Sequence, residues 1–286
     1  MGKRLVVVSR PLHGLGNRVR LVLSGLALAE STGRRFDYYW PVGPNFGARM
    51  TDLWEFRPSL SPLQELVLRV RSPLADPQEL ASHTSRRIWH VRSGSTLPLP
   101  EDALDWHRLL AELSLNPTLA QLVRETHAAQ FGQRPYVGVM VRAHANAHSL
   151  TKQHSPISWY VDRMRELQAQ LGDVGFFISA DTRQAADRLR AAFPGAYAAD
   201  KSGSYNSRLA LQESVVDLYL LACSTHILGP HHSSFPELAY FLALGQVPLE
   251  TSVGESFARV RPPVSLSIAP NPVRPRQRVP VDSFTS

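Results

Sequence analysis

From residue 136 onward, apolar runs of strand length alternate with amphipathic runs of helix length, and no other feature limits the possible folds as strongly. Tyr136-Val137-Gly138-Val139-Met140-Val141 is a continuous apolar run rich in β-branched residues, the pattern of a strand buried on both faces. Residues 157–171 place Tyr160, Met164 and Leu167 on one helical face. A second strand follows at 174–179, then a helix over 182–193, a short strand at Ala196-Tyr197-Ala198 and a helix over 209–223. The series closes with a strand at 226–229, a helix over 235–244 and a strand at 247–249. Strands separated by whole helices must pair in parallel, because a parallel pair needs a long crossover. The expectation is a parallel sheet covered on both faces, hence a Rossmann-like domain.

The start of the chain repeats the logic once. A strand near 4–10, a helix near 17–32 stopped at Gly33, and a strand at Phe36-Asp37-Tyr38-Tyr39-Trp40 stopped by Pro41 form one βαβ unit. The middle is punctuated by prolines. Residues 46–54 read as a surface turn and helix, and a helical region from about 102 to 129 carries Leu109, Leu110, Leu113 and Leu119. Gly132 and Pro135 interrupt the pattern, so 130–135 reads as a linker. The expected division is 1–130 and 131–269, followed by a proline- and arginine-rich tail over 270–286 that lies extended.

Composition removes several classes. With 286 residues, 43% of them hydrophobic, the chain can bury a large core. No apolar run is long enough to span a bilayer, and Met1-Gly2-Lys3-Arg4 leads directly into a strand, so a cytoplasmic protein with no membrane span is expected. The single cysteine, Cys223, cannot form an internal disulfide, and no Cys/His cluster has zinc-site spacing. The net charge of +7 is spread over scattered arginines without an aromatic-plus-basic motif, which argues against nucleic acid as a partner. A modest positive excess suits a cleft that attracts a phosphorylated small molecule.

In open α/β sheets ligands bind beyond the carboxyl ends of the strands, and four polar loops fall there. One is His13-Gly14-Leu15-Gly16-Asn17, a glycine turn between strand and helix whose first amides point unpaired N–H groups at a ligand, with His13, Asn17 and Arg18 adding side-chain donors. The others are Arg142-Ala143-His144-Ala145-Asn146, Ala180-Asp181-Thr182 and Pro230-His231-His232-Ser233-Ser234.

Gly14-Leu15-Gly16-Asn17-Arg18, Val139-Met140-Val141-Arg142, Ser179-Ala180-Asp181, and Asp217-Leu218-Tyr219-Leu220-Leu221 leading to Gly229-Pro230-His231-His232-Ser233-Ser234-Phe235 are ordered motifs. The set resembles the α-1,6-fucosyltransferase-like superfamily, which includes nodulation-factor, core α-1,6- and protein O-fucosyltransferases. The likeness covers the first forty or so residues and about residues 136–245.

The resemblance implies a GT-B-like architecture: α/β, two Rossmann-type domains with a cleft between them, the first on the acceptor side and the second holding a nucleotide sugar. It further implies an inverting, metal-independent transfer with no cofactor, a GDP-linked sugar being the co-substrate. By position, Arg142 would hold the β-phosphate and support the leaving diphosphate, and Asp181 and Asp217 would lie at the nucleoside end. Ser233 and Ser234 would sit near a phosphate at a helix N-terminus, and His13, Gly14, Leu15, Gly16 and Asn17 would close on the diphosphate from the first domain. Asn146, His232 and Phe235 complete the donor-binding set.

The family's strand often reads His-x-Arg before a turn with a second Arg and an Asp, where this chain has Met140, Arg142, Ala143 and Ala145. His144 and Asn146 stand in for the His and Asn that follow the arginine in the nodulation enzymes. The acceptor is not identified, and a donor other than GDP-fucose remains open.

The residues support such a transfer on physical grounds. Breaking an anomeric C–O bond to a diphosphate requires charge stabilisation by a divalent cation or by preorganised cationic and N–H donors. No Asp-x-Asp pair occurs in the chain. The charge then falls to Arg142, to helix-start amides near Gly16 and Ser234, and to Lys152. His144 is the expected general base, an imidazole titrating near neutrality beside the leaving-group arginine, with Asp52 and Glu55 as rivals.

Each residue has a plainer alternative. Arg142 is then a surface ion-pair partner, Asp181 an N-cap, Asp217 a cap on the loop around His231, Ser233 and Ser234 caps, and His231 and His232 structural. Two further functions stay open: a non-catalytic nucleotide-sugar-binding protein, and a phosphate-binding transferase such as a sulfotransferase.

Overall fold

The computed structural model describes residues 2–83 and 85–253, so the expected tail at 270–286 lies outside the described residues. The chain divides into two compact units, Met1–Asn116 with Ser202–Gln212, and Pro117–Lys201 with the chain from Glu213 on. No helix among the described residues is long and apolar enough to cross a membrane.

In the first unit a three-stranded parallel sheet has the order β2-β1-β3, with β1 at Arg4–Val8, β2 at Arg35–Tyr39 and β3 at Ile88–Arg92. Helix α1, Leu15–Ser31, forms the crossover from β1 to β2 and buries Val19, Val22 and Leu23. Helix α2, Pro62–Arg71, starts with a reciprocal cap: the Gln64 amide N–H donates to Ser61 Oγ at 3.3 Å, and the Ser61 N–H donates to Gln64 Oε1 at 2.8 Å. Its Leu68 packs against Val6 and Val8.

Residues 46–54 are not a surface segment. Phe46, Ala48, Met50, Leu53 and Trp54 are all buried around a single 3-10 turn, Met50–Asp52, and the Trp40 indole N–H donates to the Ala48 carbonyl at 2.9 Å. Tertiary packing, which local polarity does not register, draws this segment inward.

The helical run expected over 102–129 is two helices, α3 at Trp106–Glu112 and α4 at Pro117–Gln130. A proline at the first helical position begins a helix, and Pro117 does so here. The units divide at this point, and residues 130–135 lie inside the second one. Phe131, just past α4, stacks on Tyr136 at 3.9 Å between centroids, which ties α4 to the second unit.

The second unit carries a four-stranded parallel sheet of order β5-β4-β6-β7: β4 Tyr136–Val141, β5 Gly175–Ala180, β6 His226–Gly229 and β7 Leu249–Thr251. Helices α6, Ile157–Leu171, and α7, Arg183–Ala192, link β4 to β5 and follow β5, and their Tyr160, Met164 and Leu189 meet Val137, Val139 and Ile178 in the core. Helix α8, Arg208–Ala222, precedes β6, and α9, Ser234–Leu242, follows it. Ala196-Tyr197-Ala198 is not a strand: Tyr197 makes one isolated parallel bridge to Phe177. Strand β7 begins at Leu249 because Pro248 has no N–H to donate, although its carbonyl accepts from Ile227 at 2.8 Å. A short helix, α5 at Ser149–His154, has no apolar periodicity and was not expected.

In both sheets the first strand is central, its successor pairs on one side and the next strand on the other. The carboxyl ends of β1 and β3, and of β4 and β6, are therefore topological switch points, where such sheets leave a crevice.

Candidate functional site

The switch point of the second unit gathers three of the expected loops. Arg142 follows β4 directly and Asp181 follows β5. Asp181 Oδ1 accepts from the backbone N–H of Ala143 at 2.7 Å and of His144 at 3.1 Å, while Oδ2 lies 3.7 Å from Arg142 Nε. One oxygen shapes the turn and the other sets a counter-charge behind the guanidinium. The Arg142 side chain remains 36% exposed against 12% for Asp181, so the arginine keeps donors in solvent. The N-cap of α7 is Thr182, whose Oγ1 accepts from Ala185 at 3.3 Å, so the cap alternative for Asp181 does not hold.

His144 sits within the same turn. Its Nδ1 accepts from the Asn146 N–H at 3.1 Å, and its carbonyl accepts from Ala147 at 2.9 Å. With Nδ1 engaged as an acceptor, the neutral imidazole carries its proton on Nε2. Asn146 is exposed beside it. Lys152, expected to neutralise phosphate, donates from Nζ to the Ala145 carbonyl of the same loop at 2.5 Å.

The β6 exit loop is anchored from α5 and its end. Thr151 Oγ1 donates to the His231 carbonyl at 2.9 Å, and the His231 N–H donates to Ser155 Oγ at 2.8 Å. His232 has a left-handed backbone, φ 59°, which costs a non-glycine residue about 1–2 kcal/mol, and its ring lies 4.3 Å from that of His148. Gly229 lets this loop fold tightly, since a Cβ there would stand 2.8 Å from Pro236. Ser233 is the N-cap of α9 without a side-chain capping bond, and Ser234 and Phe235 open the first turn. Their amides belong to the unpaired donors of a helix start, a local anion site.

Asp217 stands apart from that turn. It is 2% exposed, accepts from Ser179 Oγ at 2.7 Å and pairs with Lys201 Nζ at 2.6 Å, and Lys201 also donates to the Ala180 carbonyl at 3.0 Å. It does not cap the His231 loop. Its partners brace the end of β5, where Asp181 begins.

In the first unit the switch point lies between β1 and β3. Gly14 is the N-cap of α1, Leu15 and Gly16 are buried, and the first-turn amides through Asn17 face the loop. His13 Nδ1 accepts from the Arg10 N–H at 3.3 Å, so this ring too presents a proton on Nε2. Burial lowers the His13 pKa, with Arg10 and Arg18 adding to the effect, and the ring stays neutral. It packs flush on Gly94, where a Cβ would come within 2.6 Å of its Cε1.

Arg18 is not a ligand donor. It is fully buried and donates to the carbonyls of His13, Pro41 and Pro11 at 2.7, 2.7 and 2.9 Å, with its guanidinium 4.0 Å from the Phe46 ring centroid. Burial lowers its pKa to about 10. It fixes the glycine turn from behind.

Sequence reasoning missed β3, and with it the Ser93-Gly94 loop beside His13. The signal was present: Ile88-Trp89-His90-Val91-Arg92 is rich in β-branched and aromatic residues. Among the described residues no group of three or more His, Cys, Asp or Glu side chains is placed to hold a metal ion.

Two Rossmann-type units with parallel sheets and helix-capped loops at their carboxyl edges give the chain a GT-B-like α/β fold. Solved structures that share it include fucosyltransferases. Fucosyltransferase NodZ from Bradyrhizobium matches with a TM-score of 0.64 at 18% identity, over 90% of this chain and 98% of that one. NodZ α-1,6-fucosyltransferase soaked with GDP-fucose matches at 0.61 and 18%, over 86% and 94%. POFUT1 in complex with GDP matches at 0.57 and 13%, over 89% and 99%. At these identities the likeness establishes the fold. No family sequence model matches the chain, and no curated protein matches it in sequence.

Proposed function

We propose that this chain is an inverting, metal-independent glycosyltransferase of the fucosyltransferase type, taking a GDP-linked sugar as donor. The observation that carries the reading is Arg142, at the β4/β6 switch point, backed by Asp181 and flanked by the start of α9. As the anomeric C–O bond breaks, its electron pair moves onto the β-phosphate oxygen. Arg142, the Nε2–H of His144 and the amides of Ser234 and Phe235 are preorganised donors for that charge. In this reading Asn146, His232 and Ser233 contact the donor, while Asp181 and Asp217 hold the β4 and β5 ends that receive it. The second unit binds the nucleotide sugar, and in the first, the acceptor-side unit of this reading, His13, Gly14, Leu15, Gly16 and Asn17 form a helix-start anion site of that unit's own.

With its Nδ1 lone pair committed, His144 acts as a donor to the leaving group rather than as the base. Of the two rival carboxylates, Asp52 is tied to the Arg49 N–H at 2.8 Å and to Arg208 at 3.0 Å, whereas Glu55 is exposed. The only cysteine, Cys223, is buried, and the reading places the protein in the cytoplasm.

The test is a thermal-shift series with GDP, UDP, ADP and adenosine phosphosulfate, followed by donor hydrolysis with GDP-fucose. GDP should raise the melting temperature most, since a ligand that binds only the folded state stabilises it in proportion to the logarithm of its saturation. Slow release of fucose should follow. Equal responses to all four nucleotides would overturn the reading, and binding without hydrolysis would leave a nucleotide-sugar-binding protein.

A further inference from the structure

The amino ends of the first sheet, opposite the edge that carries the candidate site, bear a feature the proposed transfer does not use. A cavity of about 760 Å³ lies between α2 and the first residues of β1, β2 and β3. Its apolar wall comes from Leu60, Leu63, Val67, Leu68 and Ile88. Its cations are Lys3, Arg4, Arg35, Arg71 and Arg87. Asp37 pairs with Arg4 at 2.6 Å and with Arg35 at 3.2 Å, and this one carboxylate, already shared by two arginines, does not balance Lys3 and Arg71 as well.

Helix α2 is turned the wrong way for a soluble surface. Its buried residues are Glu65 and Leu68, while Leu63, Leu66, Val67 and Val70, spaced i, i+3, i+4, i+7, form an exposed apolar stripe, with Leu63 70% and Val70 80% exposed. Isolated exposed apolar residues are ordinary; a stripe that runs into a cavity rimmed by cations is a binding feature.

We propose that this cavity binds an anionic amphiphile, a single apolar chain carrying a phosphate or carboxylate head. The volume falls in the range of small-molecule pockets, the wall accepts a chain without hydrogen-bonding groups, and the cations match an anionic head. A second copy docking symmetrically on this face would oppose cation with cation, and a polar anion alone would leave the apolar wall wet. The chemistry is shared by a free acyl phosphate or fatty acid and by a lipid headgroup with its chain.

Calorimetric titration of the full chain with dodecyl phosphate, below its micelle concentration, tests the proposal. Saturable one-to-one binding is expected, at least tenfold tighter than that of dodecyltrimethylammonium, and inorganic phosphate should not displace it. Val67→Asp and Arg71→Glu should each weaken it tenfold or more. Both side chains are exposed, so melting temperature and GDP response should not change, and Leu63→Gln provides a second apolar variant if Val67→Asp is destabilised. Sedimentation with phosphatidylglycerol vesicles separates the sources: association lost in the same variants points to a lipid headgroup, and its absence to a free amphiphile. Equal affinity for both surfactants, or unchanged binding in the variants, overturns the proposal. Because GDP binding is read separately, its failure does not affect this result.

Discussion

Replacing Asp217 distinguishes a structural carboxylate from a ligand-binding one. Resemblance placed it at the nucleoside end of the donor; the structure surrounds it with Ser179 and Lys201 at 2.7 and 2.6 Å. Breaking a buried ion pair by removing one partner typically costs about 3–5 kcal/mol, because the other charge is left unpaired. Here the surviving partner is Lys201, whose side chain is 28% exposed and keeps its bond to the Ala180 carbonyl, so it can rehydrate. That reduces the expected loss for Asp217→Asn to about 2 kcal/mol, since asparagine preserves shape and can still accept from Ser179. Asp217→Ala should lose roughly 1 kcal/mol more as the Ser179 bond goes. Urea unfolding followed by far-UV circular dichroism measures the change, with GDP affinity determined in parallel. The double variant Asp217→Asn/Lys201→Met should recover about 1 kcal/mol of the single-variant loss, because neighbouring charges couple. An Asp217→Asn protein with an unchanged urea midpoint and no GDP affinity would refute this reasoning.

Arg142→Ala should lower turnover by about two orders of magnitude or more with an unchanged fold, by analogy with the removal of one preorganised oxyanion donor; steady-state kinetics with GDP-fucose decide it, and near-normal kcat would return Arg142 to an ordinary ion pair. Asp181→Ala removes the acceptor of two backbone N–H groups and the counter-charge of Arg142, so turnover should fall about tenfold or more, and a variant at full rate would argue that the turn holds itself. Transfer should persist in EDTA, and complete loss restored by manganese would show that a cation, not Arg142, carries the leaving charge. Burial lowers the His90 pKa, the Ser72 bond and Glu65 opposing in part. The stability this contributes is present above the unfolded value of 6.5 and falls as pH drops through the lowered value, so the urea midpoint should decline below pH 6.5 and His90→Gln should flatten that decline.

Local pattern was enough for most of the second unit. Tyr136–Val141 and its successors are strands because continuous apolar runs bounded by turns have few other solutions, and once strands and helices alternate, parallel pairing and polar loops at one edge follow. That is why Arg142, Asp181 and the 230–234 loop were legible as a set. What each side chain does was not, because partners distant in sequence decide it. Arg18 read as a ligand donor, yet the carbonyls of Pro11, Pro41 and His13 occupy it. Asp217 read as a donor-binding residue, with a cap on the His231 loop as the alternative, and in the structure it pairs with Lys201. His144 read as a base, and the sequence did not show that its Nδ1 accepts from the Asn146 amide. The burial of 46–54 and the division at Asn116 likewise depend on packing between segments far apart in the chain. Sequence periodicity specifies which face of an element is apolar. Only the folded chain determines which neighbour satisfies each hydrogen-bonding group, and hence which donors remain for a ligand.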